Sequence, residues 1–220
     1  MVHTFFSPEW FLAYEMVLHF VFALITIIVS FYAFKVYNLV RQPQPKLFGI
    51  AFGLFSVSYI SQFFLEFLTI TQIRVIPIPI LQAAIERFFD VLGIYVHIVL
   101  FTMGLITLTY MTLRERSIKT YSLLVLIALI SLFFASNKIQ LFYILSSFLL
   151  LYVLIHYARN YINHKQPNTL RGLIAFSLLF VGSVSVIFSF QNEVLYVMGH
   201  VIEGIAYLVI LTNLILAVKK

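Results

Sequence analysis

Seven long apolar runs dominate the chain, at residues 10–37, 47–70, 83–113, 121–136, 139–161, 170–190 and 194–218. A helix needs about 20 mostly apolar residues to cross the hydrocarbon of a bilayer. Only a structure that bonds all its backbone amides internally survives there. The runs therefore predict an all-α polytopic membrane protein with seven transmembrane helices in a single transmembrane domain covering residues 1–220. Composition agrees, with 62% of residues hydrophobic and 10% charged. A soluble domain of this size would leave much of that apolar surface in water. Breakers and charges separate the runs: Gln42 to Pro45, Pro77 to Pro79, Arg114 to Arg116, Asn137 with Lys138, Lys165 to Asn168, and Gln191 to Glu193. The run 121–136 is the shortest. The first is too long for a signal-peptide core, and no basic segment precedes it, so it is expected to be a retained helix.

Loop charge gives a direction. With the amino terminus outside and the carboxyl terminus in the cytoplasm, the inner loops hold Lys35, Arg41, Lys46, Arg114, Arg116, Lys119, Arg159, Lys165, Arg171, Lys219 and Lys220. Only Arg74, Arg87 and Lys138 fall outside, which is the asymmetry the positive-inside rule describes. The net charge of +6 thus reads as topology and anionic lipid contact in a multi-pass cell-membrane protein, not as nucleic-acid binding. The acids divide the other way: Glu115 alone falls on the inner side. The chain has no cysteine, which rules out disulfides, thiolate metal sites, iron–sulfur clusters and a cysteine nucleophile.

The sequence also echoes itself. At an offset of 124, Tyr37 matches Tyr161, the pair Gln42 and Pro43 matches Gln166 and Pro167, and Ile50, Ala51 and Phe52 match Ile174, Ala175 and Phe176. At an offset of 103, Val91 and Leu92 match Val194 and Leu195, and His97 matches His200. Helices 1–3 would then correspond to helices 5–7, with repeat one at 10–113, a linker helix at 121–136 and repeat two at 139–218. Because helices 1 and 5 run the same way, this 3+1+3 plan is a parallel internal repeat about an axis along the membrane normal. In plan alone it resembles the SWEET sugar transporters, the PnuC vitamin transporters and the TRIC cation channels. Their motifs are missing: the Gln-Pro pair lies in a loop, and the chain has one tryptophan in total. A microbial rhodopsin is excluded, because helix 7 has no lysine before Lys219 for a retinal Schiff base.

Counting inward residues at about 1.5 Å each puts His19, His97, His200 and Glu203 roughly 24–28 Å from the basic anchors, in one layer of the outer third. Glu15 and Asp90 share helical faces with His19 and His97, and Glu66 enters the layer from helix 2. Ionisable groups at membrane depth are costly and tend to be functional. His97 and His200 are candidate axial ligands for a haem b between the halves. His19, His97, His200 and Glu203 are candidate ligands for a divalent transition metal, supported by Glu15, Glu66 and Asp90. Such a site would serve redox or sensing. Two alternatives stay open: a small-solute or cation transporter or channel with an acidic vestibule, and a structural subunit of a membrane complex with a membrane or soluble partner. Serine strips at Ser56, Ser58 and Ser61 and at Ser183, Ser185 and Ser189 read first as interhelical hydrogen bonding. No catalytic motif is present, so an enzyme is not expected.

Overall fold

The computed structural model describes residues 10–71, 79–113, 117–190 and 192–218. Among them the chain is all-helical: α1 (Leu12–Val40), α2 (Pro43–Thr71), α3 (Pro79–Leu113), α4 (Ile118–Phe134), α5 (Lys138–His164), α6 (Pro167–Ile187) and α7 (Glu193–Val218). Six of them, all but α4, are long and apolar enough to cross a membrane. The chain is thus a multi-pass membrane protein with six candidate spans where the sequence predicts seven. The 17 residues of α4 extend only roughly 25 Å, against a hydrocarbon core of about 30 Å.

Helix ends explain the connections. Arg41 and Lys165 sit in the left-handed region, at φ 56° and 48°, and their N–H groups donate to the carbonyls of Tyr37 and Tyr161 at 2.7 and 2.8 Å. A left-handed residue other than glycine costs about 1–2 kcal/mol, here offset by a satisfied C-terminal carbonyl. Each is followed by a glutamine and then by Pro43 or Pro167, the first residue of the next helix. Proline fits there because a first-turn N–H has no helical partner. Pro43 and Pro45 therefore begin α2 and do not lengthen a loop. Asn137 caps α5, its side chain accepting from the Gln140 N–H at 3.1 Å. The segments around Arg74, Pro77, Glu115 and Gln191, and the terminal lysines, lie outside the described residues.

Contacts between helices close a ring in the order α1, α2, α3, α5, α6, α7 and back to α1. The backbones of the first three long helices approach those of the last three at α1 with α7 and at α3 with α5, and the side chains of Tyr59 and Phe52 on α2 also reach α7. The short α4 lies outside the ring against α3 and α5. Its Tyr121 meets Thr107 at 3.1 Å near the end of α3, and its Leu132 packs with Ile98 and Phe142, so it runs antiparallel to both neighbours. The ring's interior is aromatic, with Phe22, Phe52, Phe55, Tyr59, Phe176 and Tyr207 at most 2% exposed. Phe64, Phe88, Phe133 and Phe134 face outward, as a lipid-facing surface requires.

Helix pairs approach closely at glycine. A Cβ on Gly199 would lie 2.7 Å from Val186 and 3.0 Å from the Gly182 carbonyl oxygen. A Cβ on Gly104 would clash with the Phe55 ring, and one on Gly172 with the Tyr157 ring. Small residues let helix backbones approach closely in lipid. The glycine beside His200 thus serves the α6–α7 crossing.

Candidate functional site

Where α1, α2, α3 and α7 face one another, the ring turns polar. His19 on α1 and Glu66 on α2 form its centre, with the imidazole Nδ1 donating to the carboxylate and 3.0 Å from each oxygen. Glu15, one turn from His19, accepts from the Tyr196 hydroxyl of α7. One ligand atom each from Glu15, His19 and Glu66 lies within 4.8 Å of the others. Glu15 and His19 are buried, and Glu66 is partly so.

On α7, His200 and Glu203 stand one turn apart, Nδ1 to Oε2 3.6 Å. The other ring nitrogen of His200, Nε2, is buried with no hydrogen-bond partner among the described residues. Its ring lies 6.2 Å from that of His19, at right angles, and 4.6 Å from that of Tyr196. Glu203 in turn accepts from the hydroxyls of Tyr207, at 2.8 Å, and Tyr59. The two phenol oxygens are 2.8 Å apart. A buried carboxylate needs such donors, because water is not there to supply them.

His97 belongs to the same layer but to a different setting. Its ring lies 6.4 Å from His19 and 5.7 Å from Tyr59, while Phe101 and Phe142 cover it at 5.3 and 5.7 Å. Ser58 Oγ lies 2.9 Å from its Nδ1 and donates to its backbone oxygen at 3.2 Å. With the hydroxyl hydrogen so used, Nδ1–H donates to Ser58.

The depth count therefore assembles His19, His97, His200 and Glu203 on neighbouring helices, together with Glu15 and Glu66. The closest grouping differs from the expected four: Glu15 and Glu66 join His19, while His97 has a serine partner. The side chain of Asp90 lies outside the described residues. Sequence reasoning missed Tyr59, Tyr196 and Tyr207. Two of them carried a signal in their spacing, since Tyr196 precedes His200 by four residues and Tyr207 follows Glu203 by four. The serine strips are interhelical bonds in part: Ser58 reaches His97, Ser56 reaches the Ala23 carbonyl and Ser183 meets Ser147. Ser61 and Ser185 bond to their own helices.

No protein family, curated protein or solved structure matches this chain. Fold and site together define a class: an all-helical, multi-pass membrane protein carrying a cluster of histidine and glutamate among its helices.

Proposed function

We propose that this protein binds a divalent transition-metal ion at the α1–α2–α7 junction, with Glu15, His19, Glu66 and His200 as ligands. Glu203 and His97 lie around them. The observation that carries this reading is the triad of Glu15, His19 and Glu66 beside the unpartnered Nε2 of His200. Charge supports it. Among the described residues the basic groups touching these carboxylates are imidazoles, and bare anions at membrane depth are expensive. Formally, Glu15, Glu66 and Glu203 bring three negative charges beside neutral imidazoles, and one divalent ion offsets two of them. Nitrogen and oxygen donors of this kind suit zinc and its neighbours. A tetrahedral site with bonds of about 2.0–2.1 Å needs donors about 3.3 Å apart. The triad, within 4.8 Å, would close by roughly an ångström to meet it.

The contacts weigh against a haem between His97 and His200. His19 and Tyr59 lie against the His97 ring, at 6.4 and 5.7 Å between ring centres, in space a porphyrin would take.

The matched turns at Arg41 and Lys165 and the order of helices around the ring support reading the fold as two parallel halves joined by α4. Loop charge supports an orientation with the start of α1 outside, which puts the metal site toward the outer face.

The test is direct. Full-length protein in lipid nanodiscs, stripped with a chelator and titrated with Zn2+, is expected to take up about one ion per chain, a four-ligand site being complete with one metal. Glu66→Gln keeps the side chain's shape and removes its charge, and should weaken binding by about 10–100-fold or more. Wild-type protein that returns no bound metal by elemental analysis sinks the reading.

A further inference from the structure

At the other end of the ring, the end bearing Arg41 and Lys165, the six long helices surround a cavity of about 370 Å³. Its walls carry the amides of Gln42, Gln44, Asn160 and Asn213 and the imidazole of His156. Among the described residues no aspartate, glutamate, lysine or arginine lines it. The volume admits on the order of ten waters, or a hydrated ion. Its deep wall is apolar, with Phe48, Phe176 and Ile210.

Ile210 lies one turn from Tyr207, and Tyr207 one turn from Glu203. Cavity and metal site are thus separated by only about 10 Å along α7. Aromatic rings fill the gap. Phe22 packs against Tyr59 and Tyr207 at 5.4 and 5.6 Å, Tyr207 against Phe52 at 6.2 Å, and Phe52 stacks on Phe48 at 4.6 Å. This plug touches the cavity through Phe48 and the site through the Tyr59 and Tyr207 hydroxyls on Glu203.

We infer that the cavity is the inner vestibule of a pathway for the same divalent ion, with the Phe22, Phe52, Tyr59 and Tyr207 plug as the gate. The inference rests on the metal-binding reading and adds transport to it. A cation drawing Glu203 toward the site breaks the two phenol contacts that fix the plug, so ligation and gating share one carboxylate. Amides and the single imidazole of His156 hold a transition metal more weakly than a cluster of carboxylates and imidazoles does. An ion that passes the plug is therefore released, not trapped. The two contacts between the halves, α1 with α7 and α3 with α5, are the places where one half rocks against the other.

The cysteine-free chain allows a clean test. Val36→Cys places a single thiol on the apolar wall of the vestibule, away from every proposed ligand. The variant is divided, one portion is labelled with a bulky maleimide, and both are reconstituted into liposomes enclosing a zinc-sensitive dye. Zn2+ added outside is expected to enter through the unlabelled protein, and labelling should slow entry at least tenfold. Zn2+ binding, measured in parallel on both portions in nanodiscs, should change less than twofold. Binding without entry in unlabelled and wild-type protein overturns the pathway and leaves the metal site standing. Entry that labelling does not slow puts the pathway elsewhere and overturns the vestibule. Absence of binding removes both readings.

Discussion

The two places where the backbones of the first three long helices meet those of the last three differ in chemistry. At α1 and α7 the meeting surface is polar: His19, Glu15, Tyr196 and His200, with Glu66 entering from α2. At α3 and α5 it is apolar, with Ile98 and Phe142 packed with Leu132 of α4. His97 and His200 occupy equivalent positions at the offset of 103, yet they differ in surroundings. His200 faces a carboxylate and keeps one nitrogen unpaired. His97 faces a serine hydroxyl and two phenyl rings. A histidine thus becomes a candidate ligand through its neighbours. With no carboxylate bonded to it among the described residues, the same imidazole is held by a serine and by aromatic rings.

The sharpest way to break this contrast is to truncate each histidine in turn. His200→Ala should weaken Zn2+ binding about 100-fold or more, near 2.7 kcal/mol, while His97→Ala should change it less than about threefold, as expected for a residue outside the ligand shell. Equal losses would mean that the two halves contribute alike and that the site lies on the axis between them. A smaller effect is expected where α6 crosses α7 beside His200. Gly199→Ala forces a methyl against Val186 and the Gly182 carbonyl, and overpacking of this kind costs about 1–3 kcal/mol. A lowered thermal midpoint, partly restored by Val186→Ala, checks it. The least is expected between α2 and α3, beside the apolar contact. Ser58→Ala removes the bond to His97, worth about 0.5–1.5 kcal/mol. It should lower the midpoint slightly and leave Zn2+ affinity unchanged; a marked loss of affinity would bring His97 into the metal site.

Much of this was legible because lipid imposes one simple demand. A helix must bond its own backbone and be long enough to cross, so the apolar runs announced seven spans, of which six are long enough and 121–136, the shortest, is not. Asn137, Pro43 and Pro167 then set helix starts near where breakers were read. A depth count along straight helices brought three histidines and Glu203 to one layer, because rise per residue is fixed. Rotation is not fixed that way. Whether His19 turns toward Glu66 or toward lipid depends on how α1 packs on α2 and α7, and apolar runs have no strong polar face to declare it. Tyr59 shows the difference most plainly. Its partner Glu203 is 144 residues away, a separation at which no local spacing gives a signal. The sequence by itself determined that the chain is all-helical and largely apolar, and roughly where its helices begin and end, since hydrophobic length and helical rise are local properties. Only the tertiary structure decided which imidazole meets a carboxylate, which is left with an open nitrogen, and that an aromatic plug stands between the site and a cavity. Those depend on helix rotation and on which helices become neighbours, and both are settled by packing across the whole ring.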